Sequence, residues 1–188
     1  MKLHICCGGV YLTGYINCDI QGYLRDSEEA KQITSRETTL ERYYLNTLPS
    51  MPVPKRGRFV IDQRVDILRP WPWATASSDR IVMIQALEHF LPQEVEFIIS
   101  EVHRVLKPGA EFLFDFPDLI ETIRSTTDFR KLVRLVYCNH LDQYSIHRTA
   151  YNQEIFQKAL EDGRAWSKIV FREIVKHDYP TIGGIAVK

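Results

Sequence analysis

The sequence predicts an α/β fold, an open twisted sheet that is mostly parallel and carries an antiparallel hairpin strand at its C-terminal end. Three observations predict it. The early strand candidates are continuous apolar runs, as expected of parallel strands covered on both faces. The first run ends in a glycine turn, Gly8-Gly9, and after Gly14 a second short run closes on Asp19. The clearest helix, over 92–106, falls between two later strands in the element order.

Each element follows from local pattern. Residues 1–7 and 15–20 are the first two strands. The connection 8–14 is too short for a full crossover helix, with room for one or two helical turns. Residues 21–58 form a long insertion, either a lid or a surface excursion. A helix is read over 39–48, with Leu40, Tyr43, Tyr44 and Leu48 at helical spacing, before Pro49, Pro52 and Pro54 end it. Lys55-Arg56-Gly57-Arg58 reads as a solvated loop. Residues 59–68 read as strand, and Pro70-Trp71-Pro72-Trp73 as a rigid aromatic turn. Residues 80–87 form a buried strand closed by Glu88-His89-Phe90. In the helix 92–106, Val95, Ile98, Ile99, Val102 and Leu106 share one face. Pro92 suits its first turn and Lys107-Pro108-Gly109 stops it. A strand over 110–116 ends at Pro117. Residues 118–136 are helical in two pieces, with Asp128 as cap of the second. An irregular polar and aromatic segment fills 137–150. A helix over 152–160 points Ile155, Phe156, Ala159 and Leu160 inward and stops at Gly163. Strands over 166–176 and 182–187 pair as the hairpin.

Composition narrows the function. The 188 residues suit one domain over 1–188 with a full core. Lys+Arg and Asp+Glu both number 24, so no net field attracts nucleic acid or an acidic membrane. No apolar run approaches membrane-spanning length and no signal segment opens the chain, so a cytoplasmic protein is expected. None of Cys6, Cys7, Cys18 and Cys138 forms a C-x-x-C pair. Cys6 and Cys7 point to opposite faces of a strand, so no metal site is expected from them.

A buried strand, a glycine turn and a second strand ending in a carboxylate are the parts of a nucleotide-binding, Rossmann-like unit. The ligand crevice is then expected at the carboxyl ends of the first strands. Four segments, in order, resemble a class I S-adenosylmethionine-dependent methyltransferase of the type-11 group. They are HICCGGVYLTGYINCDI from His4, VDILRPWPW from Val65, the stretch Ser78-Asp79-Arg80-Ile81 through Ala86-Leu87-Glu88-His89-Phe90, and EVHRVLKPG from Glu101.

The resemblance implies roles. Gly8 and Gly9 would line the methionine and ribose of S-adenosyl-L-methionine, and Asp19 would hold the ribose hydroxyls. Asp66, rather than Asp62, would sit by the adenine amino group, with Ile67 near the ring. Gln85, Ala86 and Leu87 would wall the pocket near the sulfonium. Cys6 stands where the family usually has glycine, a small side chain beside the cofactor. The helix that the family often places before the first strand is also missing from this sequence. His89, at a strand end, is the candidate catalytic base, against a plain backbone-bonded histidine at a helix entry. Glu88 reads as a cap or anchor. His140, Tyr144 and His147 fall where substrate groups often sit. The expected function is methyl transfer to a small-molecule or glycan-type acceptor; the alternative is a non-catalytic protein of the same fold that binds a partner. A nicotinamide oxidoreductase fits poorly, because the full G-x-G-x-x-G turn with its helix is absent.

Overall fold

The computed structural model describes residues 1–33, 37–45, 58–138 and 144–188. Leu48, Pro49, Pro52, Pro54, the run 55–57 and His140 lie outside the described residues.

Seven strands form the main sheet: β1 (Lys2–Ile5), β2 (Ile16–Asp19), β3 (Gln63–Arg64), β4 (Ser78–Ile84), β5 (Leu106–Pro117), β6 (Lys168–Phe171) and β7 (Thr181–Val187). Their spatial order is β3-β2-β1-β4-β5-β7-β6. β1 to β5 run parallel, and β7 lies antiparallel to both β5 and β6. The chain runs outward from β1 through β2 to β3. It then returns to the other edge of β1 and runs outward again from β4. The connections leaving β1 and β4 therefore diverge, which opens a crevice at their carboxyl ends.

Among the described residues five α-helices accompany the sheet: α1 (Glu28–Lys31), α2 (Pro92–Val105), α3 (Leu119–Ser125), α4 (Phe129–Tyr137) and α5 (Gln153–Glu161). Alternation along each strand sorts side chains to two faces. Leu3, Ile5, Cys18, Ile81, Met83, Phe112, Phe114 and Phe116 join one core with Val95, Ile98, Ile99 and Val102 of α2 and Phe156 and Leu160 of α5. Each of these aliphatic side chains contributes roughly 2 kcal/mol by leaving water. Val82, Ile84 and Leu113 face the other way, onto Leu12, Leu40, Tyr44, Ile174 and Val175. Leu40 and Tyr44 thus serve as core, Tyr44 from a π-helical turn over Glu41–Leu45 and Leu40 from the position just before it. Among the described residues no helix is long and apolar enough to cross a membrane.

The turn Trp71–Trp73 is clamped onto α2. Glu101 accepts from the Trp71 backbone N–H at 2.7 Å and from Arg104 at 2.7 and 2.8 Å, and Arg104 donates to the Trp73 carbonyl at 2.9 Å. Both indoles are buried and meet edge to face at 5.6 Å.

Several expected elements differ. The strand expected over 59–68 is split: Val60–Ile61 pairs with Tyr23–Leu24 outside the main sheet, β3 is two residues long, and 65–68 turns away. The cause is Asp62, whose carboxylate accepts from the Tyr11 hydroxyl at 2.5 Å and from the Asn17 backbone at 2.8 Å instead of standing on a continuous strand. The connection 8–14 holds no helix but a short strand, Tyr11–Leu12, paired with Glu37–Thr38. Leu87 leaves the fourth strand for a 3-10 turn, and β6 stops at Phe171 rather than continuing to 176. Ile155 points outward at 52% exposure, because only the Phe156–Leu160 stripe of α5 reaches the sheet.

Candidate active site

The crevice is built from strand ends. Just past β1, Cys6 and Gly8 both adopt left-handed backbone, at φ +53° and +51°. That region suits glycine and costs a side chain about 1–2 kcal/mol. Cys6 therefore keeps a glycine-type conformation with a thiol attached. Burial, with Asp19, Cys18 and Glu88 nearby, pushes that thiol well up, so it stays protonated. Gly8 N–H donates to Asp19 Oδ2 at 3.0 Å across the turn, while Gln21 N–H donates to Asp19 Oδ1 at 2.9 Å. Burial raises the Asp19 carboxyl above its ordinary value, partly offset by those backbone donors. Beside it, past β3, Asp66 is exposed and accepts from the Leu68 N–H at 3.0 Å, while Ile67 is buried. The strand ends thus bring Cys6, Gly8, Gly9, Asp19 and Asp66 to one edge of the sheet.

Across the crevice, Gln85 closes β4, again with positive φ at +53°. Its backbone N–H donates to the Asp115 carbonyl, and its side-chain amide donates to Asp115 Oδ1 at 3.0 Å and accepts from the Tyr179 hydroxyl at 2.9 Å. Ala86 and Leu87 follow, both buried. Asp115 is itself buried on β5 and lies 3.2 Å from His177 Nε2, while Thr181 Oγ1 donates to its Oδ2 at 3.2 Å. His177 stacks on Tyr179 with ring centroids 4.7 Å apart. These two rings line a hollow of about 570 Å³ with Ser125, Thr126, Asp128 and Lys131. The hollow is joined to the end of β4 through Tyr179, whose hydroxyl donates to Gln85, and no residue of the glycine turn lines it.

Glu88 and His89 stand in the turn just past β4. Glu88 is 3% exposed, and burial pushes its carboxyl up to about 8. His89 Nδ1 faces the Ile146 carbonyl at 3.1 Å, and His147 Nδ1 faces the Leu135 carbonyl at 2.9 Å. The Nε2 of each imidazole lies 3.9 Å from Glu88 Oε1. Tyr144 is exposed.

Sequence reasoning missed Asp115, His177 and Tyr179. One signal was available: Asp115 is an acid inside the apolar run Phe112–Phe116, and a carboxylate placed there is buried and requires partners.

The family model described as a methyltransferase domain, type 11, matches residues 3–114. No curated protein sequence matches the chain. Among solved structures, the chain resembles an S-adenosylmethionine-dependent methyltransferase of Methanosarcina mazei at 20% identity and TM-score 0.53, covering 99% of this chain and 89% of that one. A possible histamine N-methyltransferase of Thermotoga maritima matches at 13% identity and TM-score 0.52, covering 100% and 81%. Human N-acetylserotonin methyltransferase, solved with S-adenosylmethionine bound, matches at 11% identity and TM-score 0.52, covering 100% of this chain and 47% of that one. At such identities these likenesses speak for the fold alone. The family match covers more than half of the chain, and on it the chain belongs to the type-11 methyltransferase family, Rossmann-like proteins whose cofactor is S-adenosylmethionine.

Proposed function

We propose that this protein transfers a methyl group from S-adenosyl-L-methionine to a small-molecule or glycan-type acceptor. The observation that carries the reading is the reversal of strand order between β1 and β4, with the glycine turn on one side and Gln85–Leu87 on the other. The residues present fit the cofactor. A Cβ built on Gly8 meets nothing within 4 Å, so the turn faces open space. Gly8 and Gly9 would line the methionine and ribose, with Cys6 beside them, and Asp19 has acceptor capacity left for the ribose hydroxyls. Asp66 would meet the adenine amino group and Ile67 would floor the ring. Gln85, Ala86 and Leu87 would wall the reactive end. The bound cofactor supplies a methyl carbon on a cationic sulfur, an electrophile that needs an aligned lone pair.

The acceptor would enter from the hollow beside Gln85. There the Asp115 carboxylate lies 3.2 Å from His177 Nε2 and orients the ring. A histidine oriented by a carboxylate suits proton removal from an acceptor hydroxyl. His89, the base suggested by the sequence, is oriented by a backbone carbonyl at the same strand end.

Calorimetric titration with S-adenosylmethionine tests the reading, with the Asp19→Ala variant alongside. Micromolar binding that Asp19→Ala weakens at least about tenfold, as loss of charge-assisted hydrogen bonds would, supports it. No heat at millimolar cofactor overturns it and leaves the non-catalytic partner reading, which the thiol of Cys6 at a glycine-type position favours. Mass spectrometry of candidate acceptors after incubation then identifies the product.

A further inference from the structure

We infer that Glu88, His89 and His147 form a binding site for one divalent first-row transition-metal ion. One ligand atom from each, two imidazole nitrogens and a carboxylate oxygen, converge within 4.8 Å of one another. Two histidines and one carboxylate are a donor set that suits zinc, cobalt, nickel or ferrous iron and leaves further coordination positions open. Three further observations distinguish the cluster from a chance meeting of polar groups.

First, each imidazole is already turned for coordination. Nδ1 of His89 faces the carbonyl of Ile146, and Nδ1 of His147 faces that of Leu135. A carbonyl only accepts, so each Nδ1 carries a proton, and each Nε2, 3.9 Å from Glu88 Oε1, is the atom that a neutral ring would offer to an ion. Metal-bound histidines are held in this way by their second nitrogen. Second, Glu88 is buried, and its Oε2 has no hydrogen-bond partner among the described residues. Its other oxygen, Oε1, is the one that lies 3.9 Å from both imidazoles, so an ion held through both carboxylate oxygens would also give Oε2 the partner it lacks. Third, the backbone holds the set together. The N–H groups of Arg148 and Thr149 both donate to the Glu88 carbonyl, at 2.8 and 3.1 Å, and Thr149 Oγ1 donates to the Phe90 carbonyl at 2.6 Å.

The distances suit the ion. With metal–ligand bonds of about 2.1 Å at a tetrahedral angle, neighbouring donors lie about 3.4 Å apart. The two 3.9 Å separations from Glu88 Oε1 then close by about half an ångström, and the separation between the imidazole nitrogens, within 4.8 Å, by up to about 1.4 Å. The cluster directly follows Gln85–Leu87, so an ion there would offer its open positions to an oxygen of the acceptor. That role rests on the methyl-transfer reading; the metal site does not.

Untagged full-length protein, dialysed against a chelator, is titrated with cobalt(II) and then zinc(II), followed by calorimetry, visible absorption and metal analysis. The expected result is one ion per chain at micromolar affinity or tighter, with cobalt ligand-field bands. Glu88→Gln and His147→Ala are expected to weaken binding at least about 100-fold, and His103→Ala, on the far end of α2, to leave it unchanged. The wild-type titration is decisive even if a variant fails to fold. Absence of binding at submillimolar metal overturns the inference, as does binding retained in folded Glu88→Gln and His147→Ala. S-adenosylmethionine binding is measured separately on the same sample. Metal without cofactor binding would refute methyl transfer and keep the site; cofactor without metal binding would do the reverse.

Discussion

Acidification below pH 6.5 is expected to destabilise this fold through His4. That ring is 1% exposed on β1, on the sheet face away from α2. Asn17 Nδ2 points at the Leu12 carbonyl and Asp62, so its Oδ1 faces His4 Nδ1 at 3.1 Å and accepts from it. His4 Nε2 in turn accepts from the Tyr44 hydroxyl at 3.3 Å. The neutral imidazole uses both nitrogens, and burial lowers its pKa from 6.5 to about 4. The folded state therefore refuses a proton that the unfolded chain takes. The full stability is present above pH 6.5, falls as the pH drops toward 4, and levels off below. Linkage puts the loss at about 2 kcal/mol at pH 5 and about 3 kcal/mol at pH 4. Urea unfolding of the wild type and of His4→Asn at pH 7, 6, 5 and 4.5 measures it. The variant starts lower by about 1–2 kcal/mol through the lost Tyr44 bond and packing. Subtracting the two curves at each pH removes the carboxylates common to both. The difference should shift by about 2 kcal/mol in favour of the variant between pH 7 and 5, which closes or reverses the gap. A gap that stays constant over that range refutes a buried, neutral His4.

Four other outcomes follow from the same geometry. Arg104→Ala leaves Glu101 beside the buried Trp71 N–H with its guanidinium gone; Arg104 is part-exposed, so a loss of about 2–3 kcal/mol in urea unfolding is expected. Gly183→Ala would set a Cβ 2.7 Å from the Arg172 carbonyl and 2.8 Å from Asp115 Oδ2, and should cost more than about 2 kcal/mol in the same assay. Cys6→Gly relieves left-handed backbone but frees the unfolded chain, so stability should move by less than about 1 kcal/mol, while calorimetry shows a severalfold gain in S-adenosylmethionine affinity. Lower affinity in that variant would make the thiol a cofactor contact. Phe129→Ser, at a side chain 75% exposed, should change the melting free energy by no more than about 0.5 kcal/mol.

Patterns set by one element alone were legible in the sequence. The spacing of Val95, Ile98, Ile99 and Val102 states both that α2 is a helix and which face it buries, since a single apolar stripe has a single use. Alternation does the same for Phe112, Phe114 and Phe116. Where burial depends on a second element, the pattern misleads. Ile155 and Phe156 sit side by side on α5, yet only Phe156 meets Phe114 and Phe116, with centroids 4.9 and 4.6 Å away. Ile120, Ile123, Phe129 and Val133 keep helical spacing and remain exposed, because spacing specifies a helix without specifying what covers it. The run 59–68 has strand composition throughout, but Asp62 turns to Tyr11 and Asn17, a distant demand that no local window contains.

The residues around the crevice divide in the same way, and topology explains the division. Parallel strands point one way, so every position just past such a strand emerges on one edge of the sheet. Cys6, Asp19, Asp66 and Gln85 could be gathered on that rule without any contact being known. The hairpin obeys it too, one step removed. β7 starts opposite the end of β5, with Thr181 across from Pro117, and β6 ends opposite Gly184. The connection over 172–180 must therefore lie on the same edge as the tips of β1 and β4. His177 and Tyr179 arrive there from the far end of the chain, and Tyr179 meets Gln85 across 94 residues of sequence. An antiparallel pair appended to a parallel sheet delivers its turn to the ligand side whenever its first strand runs with the sheet. Titratable residues in such a turn thus belong among the site candidates from the outset. His147 is different: it reaches Glu88 by a loop tied down through Arg148 and Thr149, and no strand direction announces that.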